Sequence, residues 1–301
     1  MKALFPKIFQ SAGGGFPIGR GTAKGRATGP TTHEACFDVA SGTAQTREAR
    51  PRQFPCLGAV APKIAVLVAV AIAIGCVSCR ALPLVDGVPD ATRETVVLIH
   101  GMRRTGRSMR KMASAMREAG YNTVVCSYSS DHSAHEIATN LFTALEPVIE
   151  AAPRVHFVTH SLGGILVRDA FRDGAPPNLG RVVMLGPPNG GSAHIDLLVH
   201  LPLCETIWGT PSPELGTGTN ALPARLPLMD FPCLVIAGTN EGVLGWMLPG
   251  ENDGKVTVAS ASAGNPSEVL LLPTGHTWMM RNPVVISNTI AFLRDGAKSG
   301  D

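Results

Sequence analysis

The stretch from Val155 to Phe171 constrains this chain more than any other. Val155-His156-Phe157-Val158 runs into Thr159-His160-Ser161-Leu162-Gly163-Gly164, and Ile165 to Phe171 then repeats its apolar positions at helical spacing. That reads as strand, abrupt turn and helix, with a serine at the turn and two glycines just behind it. On such a turn the serine oxygen is exposed, and small neighbours let strand and helix pack closely. The N–H of Leu162, at the helix N-terminus, is free to hold an oxyanion. The general pattern is Gly-x-Ser-x-Gly, and Thr159 stands here in place of the first glycine. The blander alternative is a strand–helix turn with a hydroxyl cap.

The same alternation runs through the C-terminal two thirds. Thr95 to Ile99, Asn122 to Tyr128, Val155 to Thr159, Arg181 to Leu185, Phe231 to Ala237 and Val269 to Leu272 read as strands. Ser108 to Ala119, Ala134 to Glu150, Leu162 to Phe171 and Val284 to Leu293 read as helices. Continuous Val/Ile/Leu strands between helices imply an α/β fold, a mostly parallel sheet of about six strands covered on both faces.

The charge is unevenly placed. Residues 1–80 carry 10 Lys/Arg against 3 Asp/Glu, a net of +7, whereas residues 81–301 carry 16 against 20, a net of −4. The C-terminal part therefore lacks the footprint of a nucleic-acid binder. Of the seven cysteines, Cys36, Cys56, Cys76 and Cys79 precede residue 81, and Cys126, Cys204 and Cys233 follow it. Cys76-Val77-Ser78-Cys79 is formally C-x-x-C, but no second pair or histidine cluster meets it at zinc spacing, so no metal site is expected. A Cys204–Cys233 bridge and buried free thiols both fit the later three.

Residues 1–59 read as a disordered or untranslated extension. In 60–80, an unbroken run of 14 apolar or glycine residues from Ile64 to Val77 follows Lys63. As a helix it would reach about 21 Å, short of the roughly 30 Å hydrocarbon core. It fits a secretory signal better, with a start near Val60 and a lipoprotein-like box Ala73-Ile74-Gly75-Cys76; a plain signal or a single anchor helix is the alternative. An envelope or secreted location, with membrane attachment through 60–80, is the corresponding expectation.

In a parallel sheet, reactive groups lie in loops beyond the carboxyl ends of the strands. The first strand is followed by His100-Gly101-Met102, whose Met102 N–H can serve as a second oxyanion donor. The fifth is followed by a long polar loop holding Glu241, Glu251 and Asp253, and the last by Gly275-His276-Thr277. Serine, acid and histidine thus follow separate strands in that order. Serine needs a base to attack a carbonyl; His276 would take and return the proton, and a carboxylate would hold the imidazole in the right tautomer. Asp253 is the first candidate for that acid and Glu241 its rival. His132, His135, His194 and His200 show no metal-ligand spacing, and His156 and His160 read as structural.

Taken together, Val97-Leu98-Ile99-His100-Gly101-Met102, Thr159 to Gly164, Leu185-Gly186-Pro187-Pro188-Asn189-Gly190-Gly191-Ser192, Asn252 to Val256 and Gly275 to Met280 resemble segments of bacterial lipase/esterase-type α/β-hydrolases. The likeness is to the compact branch near triacylglycerol lipases and GPI inositol-deacylase-like hydrolases, and covers about residues 93–296. It implies an α/β-hydrolase domain over 81–301 with Ser161, Asp253 and His276 as triad. Met102 and Leu162 would be its oxyanion donors, and no cofactor would be needed. It also implies a short cap over 192–230, where Ile195, Leu197, Leu198, Val199, Leu201, Leu203, Ile207 and Trp208 are apolar and Gly209 to Pro223 is rich in Gly and Pro. The expected activity is carboxylic ester hydrolysis through an acyl-enzyme, on small-molecule or lipid esters. A thioesterase, acyltransferase or amidase would use the same residues, and a non-catalytic binding protein of this fold is the alternative from another class.

Overall fold

The computed structural model of the chain describes residues 83–200, 204–243 and 245–295. The readings made for 1–59 and for the segment 60–80, Cys76 included, lie outside the described residues, as do cap positions Leu201 and Leu203. Among the described residues, no helix is long and apolar enough to cross a membrane.

One sheet organises the described residues. Its strands are β1 (Leu84–Asp86), β2 (Thr95–Ile99), β3 (Asn122–Ser127), β4 (Val155–His160), β5 (Leu179–Leu185), β6 (Cys233–Gly238) and β7 (Glu268–Leu272). Their spatial order is β1-β3-β2-β4-β5-β6-β7. Every pairing from β3 to β7 is parallel. These are the six apolar strands expected from the sequence.

The seventh corrects the expected count. β1 lies antiparallel on β3, with Val85 opposite Cys126. It has three residues, and Leu84 is 64% exposed. A strand so short has no periodicity to read, and its place comes from pairing with an edge that is already built.

Helices on both faces explain why the central strands are mostly apolar. Val97 and Ile99 of β2 share a buried cluster with Leu141, Leu145 and Ile149 of α2 (Ala134–Ala151) and Ile165 and Leu166 of α3 (Leu162–Ala170). Val96 and Leu98 point the other way. They pack with Met112 and Met116 of α1 (Arg110–Glu118) and with Val285, Phe292 and Leu293 of the closing helix (Pro283–Asp295). Fully burying one such side chain is worth about 1.5–3 kcal/mol, and both clusters are continuous beneath the central strands. α2 begins with a capping box, in which Glu136 N–H donates to Ser133 Oγ and Ser133 N–H to Glu136 Oε2. Cys126 and Cys233 are buried free thiols within β3 and β6, so Cys233 forms no bridge to Cys204.

Four short helices decorate the rest: α4 (Ala193–Leu198), α5 (Cys204–Trp208), α6 (Leu222–Arg225) and α7 (Val258–Ala261); the closing helix is α8. Ile195, Leu215, Leu222, Leu226 and Met229 join the α2/α3 cluster, so much of the apolar content of 192–230 packs onto the sheet. The segment is also fastened. Buried Arg168 of α3 donates to the carbonyl oxygens of Asn189 (3.0 Å) and Pro227 (3.2 Å). Thr217 Oγ1 donates to Asp196 at 2.6 Å, and Ala134 N–H to Glu214 at 3.1 Å.

Candidate active site

Because β2, β4, β6 and β7 run parallel, the loops carrying 100–104, Ser161, 239–257 and 273–281 emerge along one edge of the sheet. Ser161 sits between β4 and α3 at φ 54, ψ −120. A non-glycine residue with such a backbone costs on the order of 1–3 kcal/mol, held in place by its surroundings. The glycines explain how the turn closes. A Cβ on Gly163 would come within 2.9 Å of the Ile99 carbonyl oxygen, and one on Gly164 within 3.0 Å of Pro187. Thr159, by contrast, is fully buried and fits in the strand, paired with Ile99 and Met184.

Three separate loops meet at this serine. Ser161 Oγ lies 3.0 Å from His276 Nε2, and His276 Nδ1 lies 2.7 Å from Asp253 Oδ2. The other oxygen of Asp253 accepts the N–H groups of Lys255 (3.0 Å) and Val256 (2.8 Å), and its carbonyl accepts the N–H of His276 (2.9 Å). Asp253 and His276 are both buried. Asn252 secures the acid loop from inside, donating to the carbonyls of Gly245 (3.1 Å) and Gly250 (2.9 Å). Glu241, the rival acid, is exposed and has no hydrogen bond from its carboxylate to His276.

The loop after β2 is pressed against the serine. A Cβ on Gly101 would stand 2.8 Å from His160 Nδ1 and 3.0 Å from Ser161 Cβ, so only glycine permits this approach. The turn closes through Arg104 N–H to the Gly101 carbonyl (3.2 Å), with Arg103 at φ 54. Met102 lies inside that turn and Leu162 is the first residue of α3. No backbone carbonyl among the described residues accepts from either N–H. No group of three or more potential metal ligands occurs among the described residues.

Solved structures give the architecture a name. The mature form of the lipase BlEst2 from Bacillus licheniformis superposes with a TM-score of 0.59 at 20% identity, covering 70% of this chain and 97% of that one. The fold is that of the α/β-hydrolases. The propeptide form of BlEst2 matches with the same score and identity, but this chain covers 55% of its length. A structure of the metagenome-derived lipolytic enzymes LipS and LipT matches at TM-score 0.51 and 17% identity, over 72% of this chain and 99% of that one. No protein-family model matches the sequence, and comparison with curated proteins finds no match.

Two histidines that sequence reasoning passed over as structural or as motif letters turn out to brace this candidate site. Buried His100 stacks on Tyr128 with ring centroids 4.1 Å apart. Its Nδ1–H donates to the Gly101 carbonyl (2.8 Å), and its Nε2 accepts the Tyr128 N–H (3.2 Å). Tyr128 O–H returns a 2.6 Å bond to the His100 carbonyl. Only neutral imidazole can make this set, and burial lowers the His100 pKa to about 4. His160 is likewise held neutral by burial, and its Nε2–H donates to the His276 carbonyl at 3.0 Å. Its Nδ1 has no partner among the described residues. The sequence carried a trace of both, since each directly follows an apolar strand.

These buried imidazoles make stability depend on pH. Unfolded, they take up protons near the ordinary value of 6.5; folded, His100 does so only at about 4. The unfolded state therefore binds more protons as pH falls through that window, and stability falls with it. His100 alone accounts for on the order of 3 kcal/mol by the end of the window. A urea midpoint clearly lower at about pH 5 than at about pH 7.5 is the expected result. Equal midpoints would show that these rings are solvated.

Proposed function

We propose that this chain is a serine hydrolase that cleaves carboxylic esters through an acyl-enzyme. The observation that carries the reading is the continuous set Ser161 Oγ, His276 Nε2, His276 Nδ1 and Asp253 Oδ2 at 3.0 and 2.7 Å, hung from a left-handed serine turn. In this reading Ser161 Oγ attacks the ester carbonyl as its proton passes to His276 Nε2. The N–H groups of Met102 and Leu162 hold the oxyanion of the tetrahedral intermediate. His276 then protonates the departing alcohol, and water, deprotonated by the same nitrogen, releases the acid and regenerates Ser161. Asp253 stays ionised throughout and stabilises the imidazolium.

Lipid-like esters are favoured as substrates because BlEst2 is a lipase and LipS and LipT are lipolytic. On the composition of residues 60–80, we also propose an envelope or secreted location; N-terminal sequencing of the mature protein tests it. For the activity, a fluorophosphonate probe should label Ser161, and p-nitrophenyl esters from acetate to palmitate should be hydrolysed with a defined chain-length optimum. A folded protein that neither takes the label nor releases p-nitrophenol would instead be a binding protein.

A further inference from the structure

The groups flanking the triad are not those of a neutral slot. Arg104, three residues past Gly101, donates to the Thr277 carbonyl at 3.0 Å and so lies against the residue that follows His276. Lys255, two residues past Asp253, is partly buried, its Nζ 5.4 Å from the ring of Trp208 in the cap. His194 of α4 meets the same indole edge-on at 5.7 Å, with a buried Nε2 that lacks a partner among the described residues. Asp253 is a favourable charge for Lys255, but it pairs with His276 and stands beyond ion-pairing distance of both Lys255 and Arg104.

The positive field continues outward. Trp278, 57% exposed, is covered by the guanidinium groups of Arg104 at 5.1 Å and Arg281 at 4.7 Å. Lys111 Nζ donates to the Arg281 carbonyl at 2.9 Å, and Arg107 and Arg110 lie exposed beside it in sequence. Among the described residues, none of Arg104, Arg107, Arg110, Lys111, Lys255 and Arg281 has a carboxylate at ion-pairing distance. Residues 103–111 hold five of the 16 Lys/Arg of 81–301 and no Asp or Glu, although that part carries a net −4. Holding a partly buried lysine with no carboxylate at ion-pairing distance is costly, and an arriving anion would offset that cost.

Building on the hydrolase reading, we infer that the preferred ester carries an anionic group, a carboxylate or a phosphate, close to the scissile bond, and that Lys255 and Arg104 bind it. Lys255, held by Trp208 and the acid loop, supplies a fixed point charge, and Arg104 a planar donor set at the mouth. The arrangement would select among esters by charge where the apolar cap surface selects by chain length.

The test compares size-matched pairs on the full chain. One pair is mono-(p-nitrophenyl) glutarate against its methyl ester, which places the charge on the acyl side. The other is a lysophosphatidate against the monoacylglycerol of the same chain, both below micellar concentration, which places it on the alcohol side. At low salt, kcat/KM should favour the anionic member at least tenfold in one pair or both, and the pair that responds shows which side the cations face. Lys255→Met should cut that ratio at least fivefold, mainly through KM, Lys255→Arg should restore much of it, and Arg104→Met should lower it less. The ratio is the readout because a general loss of activity or folding cancels in it. A ratio near or below one in both pairs, or a ratio unmoved by Lys255→Met, overturns the inference while leaving ester hydrolysis standing. No turnover of any member together with no fluorophosphonate label at Ser161 overturns both.

Discussion

Ser161→Ala is expected to lower kcat by about 10⁴- to 10⁶-fold for every ester the protein hydrolyses, with the melting temperature nearly unchanged. The size of the effect follows from removing the only atom that can form the acyl bond. Neither His276 nor the two oxyanion N–H groups can substitute, although together they should leave a residue of catalysis above water. The small effect on stability follows from the turn, since alanine has the same backbone cost at φ 54 as serine and the half-buried serine gives up a single hydrogen bond, to His276. Active-site titration with a fluorophosphonate beside p-nitrophenyl ester kinetics measures it. A drop of less than about tenfold would remove Ser161 from the role of nucleophile.

Asp253→Asn is expected to cost about 10³- to 10⁴-fold in kcat, whereas Glu241→Gln should change it less than about twofold. The hydrogen bonds of the acid loop set the difference. One oxygen of Asp253 accepts from the N–H groups of Lys255 and Val256, so an asparagine would keep its carbonyl there and turn its NH₂ towards His276. His276 Nδ1 would then have to accept, which places the ring proton on Nε2, opposite Ser161. A ring nitrogen that already carries a proton has no lone pair with which to take another from serine, so the base is lost at the position where it is needed. Glu241 is exposed, and its loss leaves this geometry intact. Equal losses in the two variants, or a greater loss in Glu241→Gln, would give the acid's role to Glu241.

Local chemistry accounts for what could be read without coordinates. The six parallel strands were legible because a strand buried on both faces is apolar at most positions, and Val96 to Ile99 or Leu234 to Ala237 leave no other economical reading. The serine turn was legible because glycine is demanded wherever a backbone must approach within a Cβ radius, as Gly163 does to the Ile99 carbonyl. Chain order along a parallel sheet then put serine, acid and histidine at one edge.

Contacts between distant residues decided the rest. Asp253 and Glu241 are both acids in one polar loop, and which of them meets His276 depends on how Asn252, anchored on Gly245 and Gly250, folds that loop inward. The place of His100 and His160 after apolar strands hints at the site but not at their neutral state, which arises from burial and from partners 28 and 116 residues away. β1 owes its existence to the open edge of β3. The charged flank of the site was likewise invisible in order, because Arg104 and Lys255 are far apart in the chain and are placed by separate loops, one against Thr277 and the other over Trp208. The sequence by itself determined the layers and the candidate chemistry, since those rest on short-range pattern. Tertiary structure alone decided which acid meets His276, which tautomers His100 and His160 hold and which cations flank Thr277 and Trp208, since each depends on burial and on contacts between separate loops.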